Sequence, residues 1–179
     1  MKDFRKKYTE EVVPALKKQL GHTNNFQVPK IEKVTLNVGV GKILKDQAMI
    51  AHIEDFLTRI TGQKPVRTKA KKSIASFKLR EGNVIGIMVT LRNKRMYEFL
   101  EKLLTFTLPR VRDFRGLEAK NVDRGGNLSI GFRENLSFPE VTSDDIEQSH
   151  GLQVVITTTA GTREEGLALL TLLGFPFKK

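Results

Sequence analysis

Ile31-Glu32-Lys33-Val34-Thr35-Leu36-Asn37-Val38-Gly39-Val40 is the stretch that decides the fold. Val34, Leu36, Val38 and Val40 alternate with Thr35, Asn37 and Gly39. A period of two puts apolar side chains on one face of a strand and polar ones on the other. The pattern returns from Val84 to Arg92, where Ile85, Ile87, Val89 and Leu91 point inward and Gly86, Met88, Thr90 and Arg92 outward. It returns again from Asn127 to Arg133, with Leu128, Ile130 and Phe132 inward and Asn127, Ser129, Gly131 and Arg133 outward. Leu152 to Thr158 reads as a further strand and Val66 to Thr68 as a short one. Parallel sheets covered on both faces read as unbroken apolar runs, and these strands alternate. The expectation is a mainly antiparallel sheet with helices on one face and the other face open.

Between the strands the apolar period lengthens to that of a helix. Phe4, Tyr8, Val12, Leu16 and Leu20 form one stripe over Asp3 to Leu20, and Pro14 is expected to kink that helix or end it early. From Asp46 to Thr61, Ile50, Ile53, Leu57 and Ile60 share a face, with Asp46 as N-cap and Gly62 beyond the end. Lys94 to about Thr107 is helical on Met96, Phe99, Leu100, Leu103 and Phe106, and Pro109 is expected to stop it. Thr162-Arg163-Glu164-Glu165 has capping-box spacing and opens a helix bearing Leu169, Leu170, Leu172 and Leu173, which Gly174 and Pro176 end. Arg110 to Asp123 follows neither period. The sum is an α+β protein, one domain over residues 1–179, with an extended basic loop at about 69–82 and an acidic loop at about 134–150.

The chain has 179 residues, enough for a real core at 39% hydrophobic. Lys and Arg outnumber Asp and Glu by 31 to 20, a net charge of +11 that points to a polyanionic partner. The absence of cysteine excludes disulfides, thiolate metal sites and cysteine nucleophiles. No apolar h-region follows the N-terminal charges, and no apolar run is long enough for a bilayer, so a soluble intracellular protein is expected.

If the strands assemble as read, the open face collects Thr35, Asn37, Thr90, Arg92, Asn127, Ser129, Arg133, Gln153 and Thr157, with Gly39, Gly86 and Gly131 keeping it low. Hydroxyls and amides both donate and accept, which suits ribose hydroxyls and phosphates, though such residues are also ordinary on a solvated sheet. The face lacks exposed aromatics, so it fits a folded, largely double-helical RNA better than a splayed single strand. The run Lys64, Arg67, Lys69, Lys71, Lys72, Lys78 and Arg80 contains no acid and surrounds Ser73, Ile74, Ala75, Ser76 and Phe77. Such a flexible loop can lie on a phosphate backbone by counterion release. Arg110, Arg112 and Arg115 are spaced to grip phosphates or to serve a turn after Pro109. Glu134, Glu140, Asp144, Asp145 and Glu147 make the segment 134–150 one that avoids RNA, and either meets a basic protein or only solubilises the chain.

Enzymatic readings do poorly. Gly39-Val40-Gly41-Lys42 lacks the spacing of a phosphate loop, and Ile43 stands where Ser or Thr is needed. His22, His52 and His150 are scattered, and no nucleophile elbow accompanies Ser143 and Asp144. A nucleic-acid-processing enzyme would need clustered carboxylates for metal, and they occur only in the segment least suited to RNA. A DNA-binding structural protein would share the charge but more often shows a recognition helix. No cofactor, membrane partner or small-molecule substrate is expected. A generic basic nucleic-acid-binding protein is the alternative.

Five ordered blocks sharpen this reading: Lys33 to Gly41, Thr61 to Val66, Ala75 to Gly82, Leu108 to Leu117, and Asn127 to Gly131. Together, over essentially the whole chain, they resemble the bacterial large-subunit ribosomal protein family that binds 5S rRNA. The resemblance implies an antiparallel sheet with RNA on its concave side, in the central protuberance of a cytoplasmic ribosome. It implies 5S rRNA contacts at Thr35, Asn37, Gln63, Thr68, Thr90 and Arg92. It implies that Lys69, Lys71, Lys72, Ser73, Ser76, Phe77, Lys78 and Arg80 belong to a segment that reaches P-site tRNA. It further implies 23S rRNA and large-subunit proteins as neighbours, and an intersubunit bridge to a small-subunit protein. The acidic segment and Arg110, Arg112 and Arg115 are the candidates for bridge or further RNA contacts.

Overall fold

A computed structural model of the chain describes residues 4–41, 43, 46–142, 145–146 and 148–178. Its strands are β1 (Ile31–Gly39), β2 (Val66–Lys69), β3 (Val84–Leu91), β4 (Leu128–Phe132) and β5 (Leu152–Thr158). They form one antiparallel sheet in the order β2-β3-β1-β5-β4. The alternation is visible in β1: Val34, Leu36 and Val38 are buried, while Thr35 and Asn37 are half-buried. With helices interspersed, the fold is α+β as expected. The chain groups into two compact units.

The unit of residues 35–90 and 131–154 contains α3 (Gln47–Thr61). Asp46 caps it, its Oδ1 accepting the Met49 N–H at 2.9 Å, and Gly62 closes it in the left-handed conformation at φ 65°. Ile50, Ile53, Phe56, Leu57 and Ile60 form its buried face. Phe56 meets Phe138 edge-on at 6.0 Å and His150 at 5.1 Å, and Phe132 tilts against Phe138 at 5.5 Å. Each such ring stabilises the unit by about 1.5–3 kcal/mol. The segment 134–150 is therefore not simply a solvated acidic loop. It opens with a 3-10 turn, Asn135–Ser137, and Asp145 turns inward with no exposed surface. Ser143, Asp144 and Glu147, also counted in that loop, lie outside the described residues.

The unit of residues 1–34, 91–130 and 155–179 has its own core. Its first helical stretch runs through α1 (Phe4–Lys7), a π-helical turn (Tyr8–Val12) and α2 (Val13–Leu20). Pro14 does not end it. The Val13 N–H reaches back five residues to the Tyr8 carbonyl, so Pro14 falls in the first turn of α2, where a missing N–H costs nothing. The same device recurs after α4 (Asn93–Lys102), where a π-turn (Leu103–Thr107) leads into a 3-10 turn (Leu108–Arg110). Pro109 sits in that last turn, and the helical stretch ends one residue beyond it, at Arg110, as expected of a proline stop. The wider π-turn also shifts the apolar face. Phe106, expected inside, is 45% exposed, and Thr107 occupies the buried position instead.

Helix α5 (Arg163–Leu173) starts on the Thr162 hydroxyl, which accepts the Glu165 N–H at 3.3 Å, while Glu165 Oε2 accepts the Gly161 N–H at 2.8 Å. Its buried Gly166 crosses the Gly125–Gly126 turn so closely that a Cβ there would lie 2.3 Å from the Gly126 Cα. Lys7 Nζ donates to the Leu173 carbonyl at 3.0 Å at the far end. The aperiodic stretch after Arg110 turns at Asp113 and Gly116, and Leu117 then pairs in parallel with Phe177.

Candidate nucleic-acid interface

Strand neighbours β2, β3 and β1 bring together residues distant in sequence. Thr68 is in register with Gly86 on β3. A Cβ at position 86 would lie 2.7 Å from Thr68 Oγ1 and 3.4 Å from Asn37 Oδ1. The hydroxyl and the amide thus border the same gap over β3, and only a glycine leaves it vacant. Gln63, just past the αL residue Gly62, is held by its Nε2 donating to the Thr90 carbonyl at 3.2 Å. Thr35, Asn37, Gln63, Thr68 and Thr90 are all half-buried, the state of a polar side chain that is fixed yet accessible. Arg92 is exposed and belongs to the other unit.

Other expected members of the face fare differently. Gly39 and Gly131 are exposed, with nothing within 4 Å of a Cβ, so both keep the surface low. Asn127 is engaged at home: its Nδ2 donates to Asp123 at 2.9 Å and its Oδ1 accepts the Thr158 N–H at 2.9 Å. The short turn before β4 needs that amide.

The basic run departs from a flexible loop. Beyond β2, the Ala70 N–H donates to the Asn83 carbonyl at 2.8 Å, and Ile74 and Leu79 exchange hydrogen bonds of 2.9 and 3.1 Å. A 3-10 turn, Ala75–Phe77, forms the tip, and Lys78 takes φ 52° to close it. The result is a hairpin whose Lys69, Lys71, Lys72, Ser73, Ser76, Lys78 and Arg80 are exposed and whose Phe77 is 74% exposed. Not every cation of the run lacks a counter-charge. Arg67 grips Glu54 of α3 with both its Nε and a terminal nitrogen, the latter at 3.0 Å. That hydrogen bonding holds the Glu54 carboxyl below the usual carboxylate range. Arg110, Arg112 and Arg115 are exposed after the second π-turn.

Two features have no signal in the sequence. The first is a clamp on Asp145. Arg59 donates to both its oxygens, at 2.7 and 3.0 Å, and the Thr142 N–H and hydroxyl donate at 2.6 and 2.8 Å. His52 Nε2 stands 2.9 Å from Oδ1, and Arg59 also reaches the Glu140 carbonyl at 2.9 Å. The second is Phe26, the most exposed large apolar side chain among the described residues, at 95%. Also among the described residues, no three or more His, Asp or Glu side chains gather to hold a metal ion, and no helix is long and apolar enough to cross a membrane.

Amides, hydroxyls and cations lie along a sheet face and a hairpin on a chain of net charge +11, features in keeping with a protein that scaffolds nucleic acid. Residues 24–80 match the family described as ribosomal protein L5, and residues 84–177 match the model of that ribosomal family's C-terminus. The large ribosomal subunit protein uL5 of Colwellia psychrerythraea is 52% identical over 172 residues, covering 96% of this chain and 95% of the relative. Those of Desulfotalea psychrophila and Desulfatibacillum aliphaticivorans are each 51% identical over 179 residues, the full length of both chains. The chain belongs to the ribosomal L5 family. It is a structural constituent of the large ribosomal subunit in the cytoplasm, with rRNA and ribosomal proteins around it, and not an enzyme.

Proposed function

We propose that this chain binds 5S rRNA through the open face around β1, β2 and β3 and helps hold it in the central protuberance. The observation that carries the reading is the convergence of Asn37 and Thr68 on the gap over Gly86. A donor–acceptor pair beside a side-chain-free strip suits the wide, shallow minor groove of an RNA helix, where 2′-hydroxyls are both donors and acceptors. Thr35, Gln63 and Thr90 extend the contact. The Gln63 amide is already oriented by Thr90, so little of its freedom remains to be lost on binding. Exposed lysines and arginines contribute the salt-sensitive part of the affinity, and the half-buried amides and hydroxyls the recognition of one RNA shape.

The hairpin around Ala75–Phe77 is the segment that contacts P-site tRNA in this reading. Its cations meet the phosphates, and the exposed Phe77 ring offers a stacking face. Glu134 and the exposed Ile146 on the segment 134–150, with Arg110, Arg112 and Arg115 elsewhere, face a small-subunit protein or further rRNA. Asp145 has no part in that surface.

The test is a titration of the purified chain with 5S rRNA at several salt concentrations, beside an unrelated structured RNA of similar size. Preference for 5S rRNA that outlasts the competitor at higher salt is expected, and Asn37→Ala should weaken it by about 1–2 kcal/mol without loss of fold. Equal, steeply salt-dependent binding to both RNAs would mark a generic polycation instead.

A further inference from the structure

Phe26 has no role in the reading above, yet the fold holds it out firmly. It is the middle residue of a 3-10 turn, Asn25–Gln27. Asn24 Oδ1 accepts the Phe26 N–H at 3.0 Å, and the Gln27 and Val28 N–H groups close the turn on Asn24 and Asn25. Lys17 Nζ donates to Asn25 Oδ1 at 2.8 Å, tying the turn to α2. Val28 and Pro29, which follow, are buried. The ring is thus presented by a hydrogen-bonded turn.

Its surroundings state what it fits. Residues 12–31 carry Lys17, Lys18, His22 and Lys30 and no acid, and Gln19, Asn24, Asn25 and Gln27 supply amides. Phe26 is the one large apolar side chain in this stretch that is exposed, the others being buried or half-buried. A protein partner would require a contiguous apolar patch, which a single ring among lysines and amides does not make. A nucleobase requires only one flat face, with cations beside it for the flanking phosphates.

We infer that Phe26 is a stacking platform for an unpaired base of the rRNA bound by the sheet face. This rests on the 5S rRNA reading and adds to it a loop or bulge nucleotide, where bases stand free of the helical stack. The chain contains no tryptophan, so Phe26→Trp is a single-site reporter. With 5S rRNA, the Trp variant should bind as the parent does, with its fluorescence quenched. Phe26→Ala should bind roughly tenfold more weakly, with an unchanged slope of log K against log salt, because no cation is lost. Phe26→Leu, which keeps bulk but has no π face, should follow the Ala variant. Circular dichroism should show all three folded, since the ring is exposed.

Parent-like binding by Phe26→Leu, or an unquenched Trp in a chain that still binds 5S rRNA, overturns the inference. A loss in Asn37→Ala alongside either result leaves the 5S rRNA reading standing. An unmodified chain without preference for 5S rRNA removes both.

Discussion

Asp145 has no exposed surface, and burial alone would push its carboxyl up; the Arg59 guanidinium and the Thr142 N–H and hydroxyl overcome this and hold it far below its ordinary range. The clamp's full stabilisation is therefore present above the ordinary carboxylate value and is lost progressively as pH falls below it. His150 behaves differently. Burial, opposed by the Gln148 carbonyl and aided by His52, lowers it from 6.5, so the unfolded chain takes up a proton more readily than the folded one. Stability should thus fall as pH drops through 6.5. Urea unfolding at pH 7.5 and 5.5 checks this, and a pH dependence unchanged in His150→Gln would refute the assignment. Gly86 acts through space alone. Gly86→Ala drives a methyl into the Thr68 hydroxyl, which should cost about 1–2 kcal/mol and weaken 5S rRNA binding as is expected of Asn37→Ala. Gly131→Ala, with open space around it, serves as the neutral control for stability.

Elements show which patterns a linear sequence carries. The strands and α3 were legible because period, cap and αL glycine are local, and each strand lies within about a residue of its expected bounds. The two π-turns were not, because a turn with one extra residue leaves no compositional mark. Its trace is Phe106, expected on the apolar face and exposed instead. Long-range partners were also hidden: nothing near Asp145 announces Arg59, and nothing near Arg67 announces Glu54. The Gly126–Gly166 crossing is of this kind. Alanine is the better helix former, yet Gly166→Ala should destabilise the chain by about 3 kcal/mol, because backbone blocks the methyl. Thermal unfolding measures it. For the hairpin, neutralising Lys69, Lys71 and Lys72 should leave 5S rRNA affinity within about threefold while weakening tRNA contact, since phosphate contacts act where they are made. A collapse of 5S rRNA binding would show that face and hairpin do not divide the work.

At the scale of the whole chain, charge, fold class and the residue types of the open face were readable beforehand. What the residue list lacked was the arrangement: Thr68 over Gly86, Gln63 on Thr90, Asn127 spent on its own turn. We propose that residues 1–179 behave as one domain, because β1 and β5 each contribute residues to both units. Tyr8 and Tyr97 both lie in the unit that contains the first and last residues, so tyrosine fluorescence follows that unit and circular dichroism follows all. Coincident denaturation curves are expected, and separate midpoints would divide the chain.

The pairing of Leu117 with Phe177 has a consequence for how the molecule is born. During synthesis at roughly 5–20 residues per second, Leu117 waits several seconds for its partner to be made, and Lys7 waits longer still for Leu173. Translation therefore imposes a delay: one core has to be completed from its two ends, while the nascent chain already displays much of its positive charge to every RNA nearby.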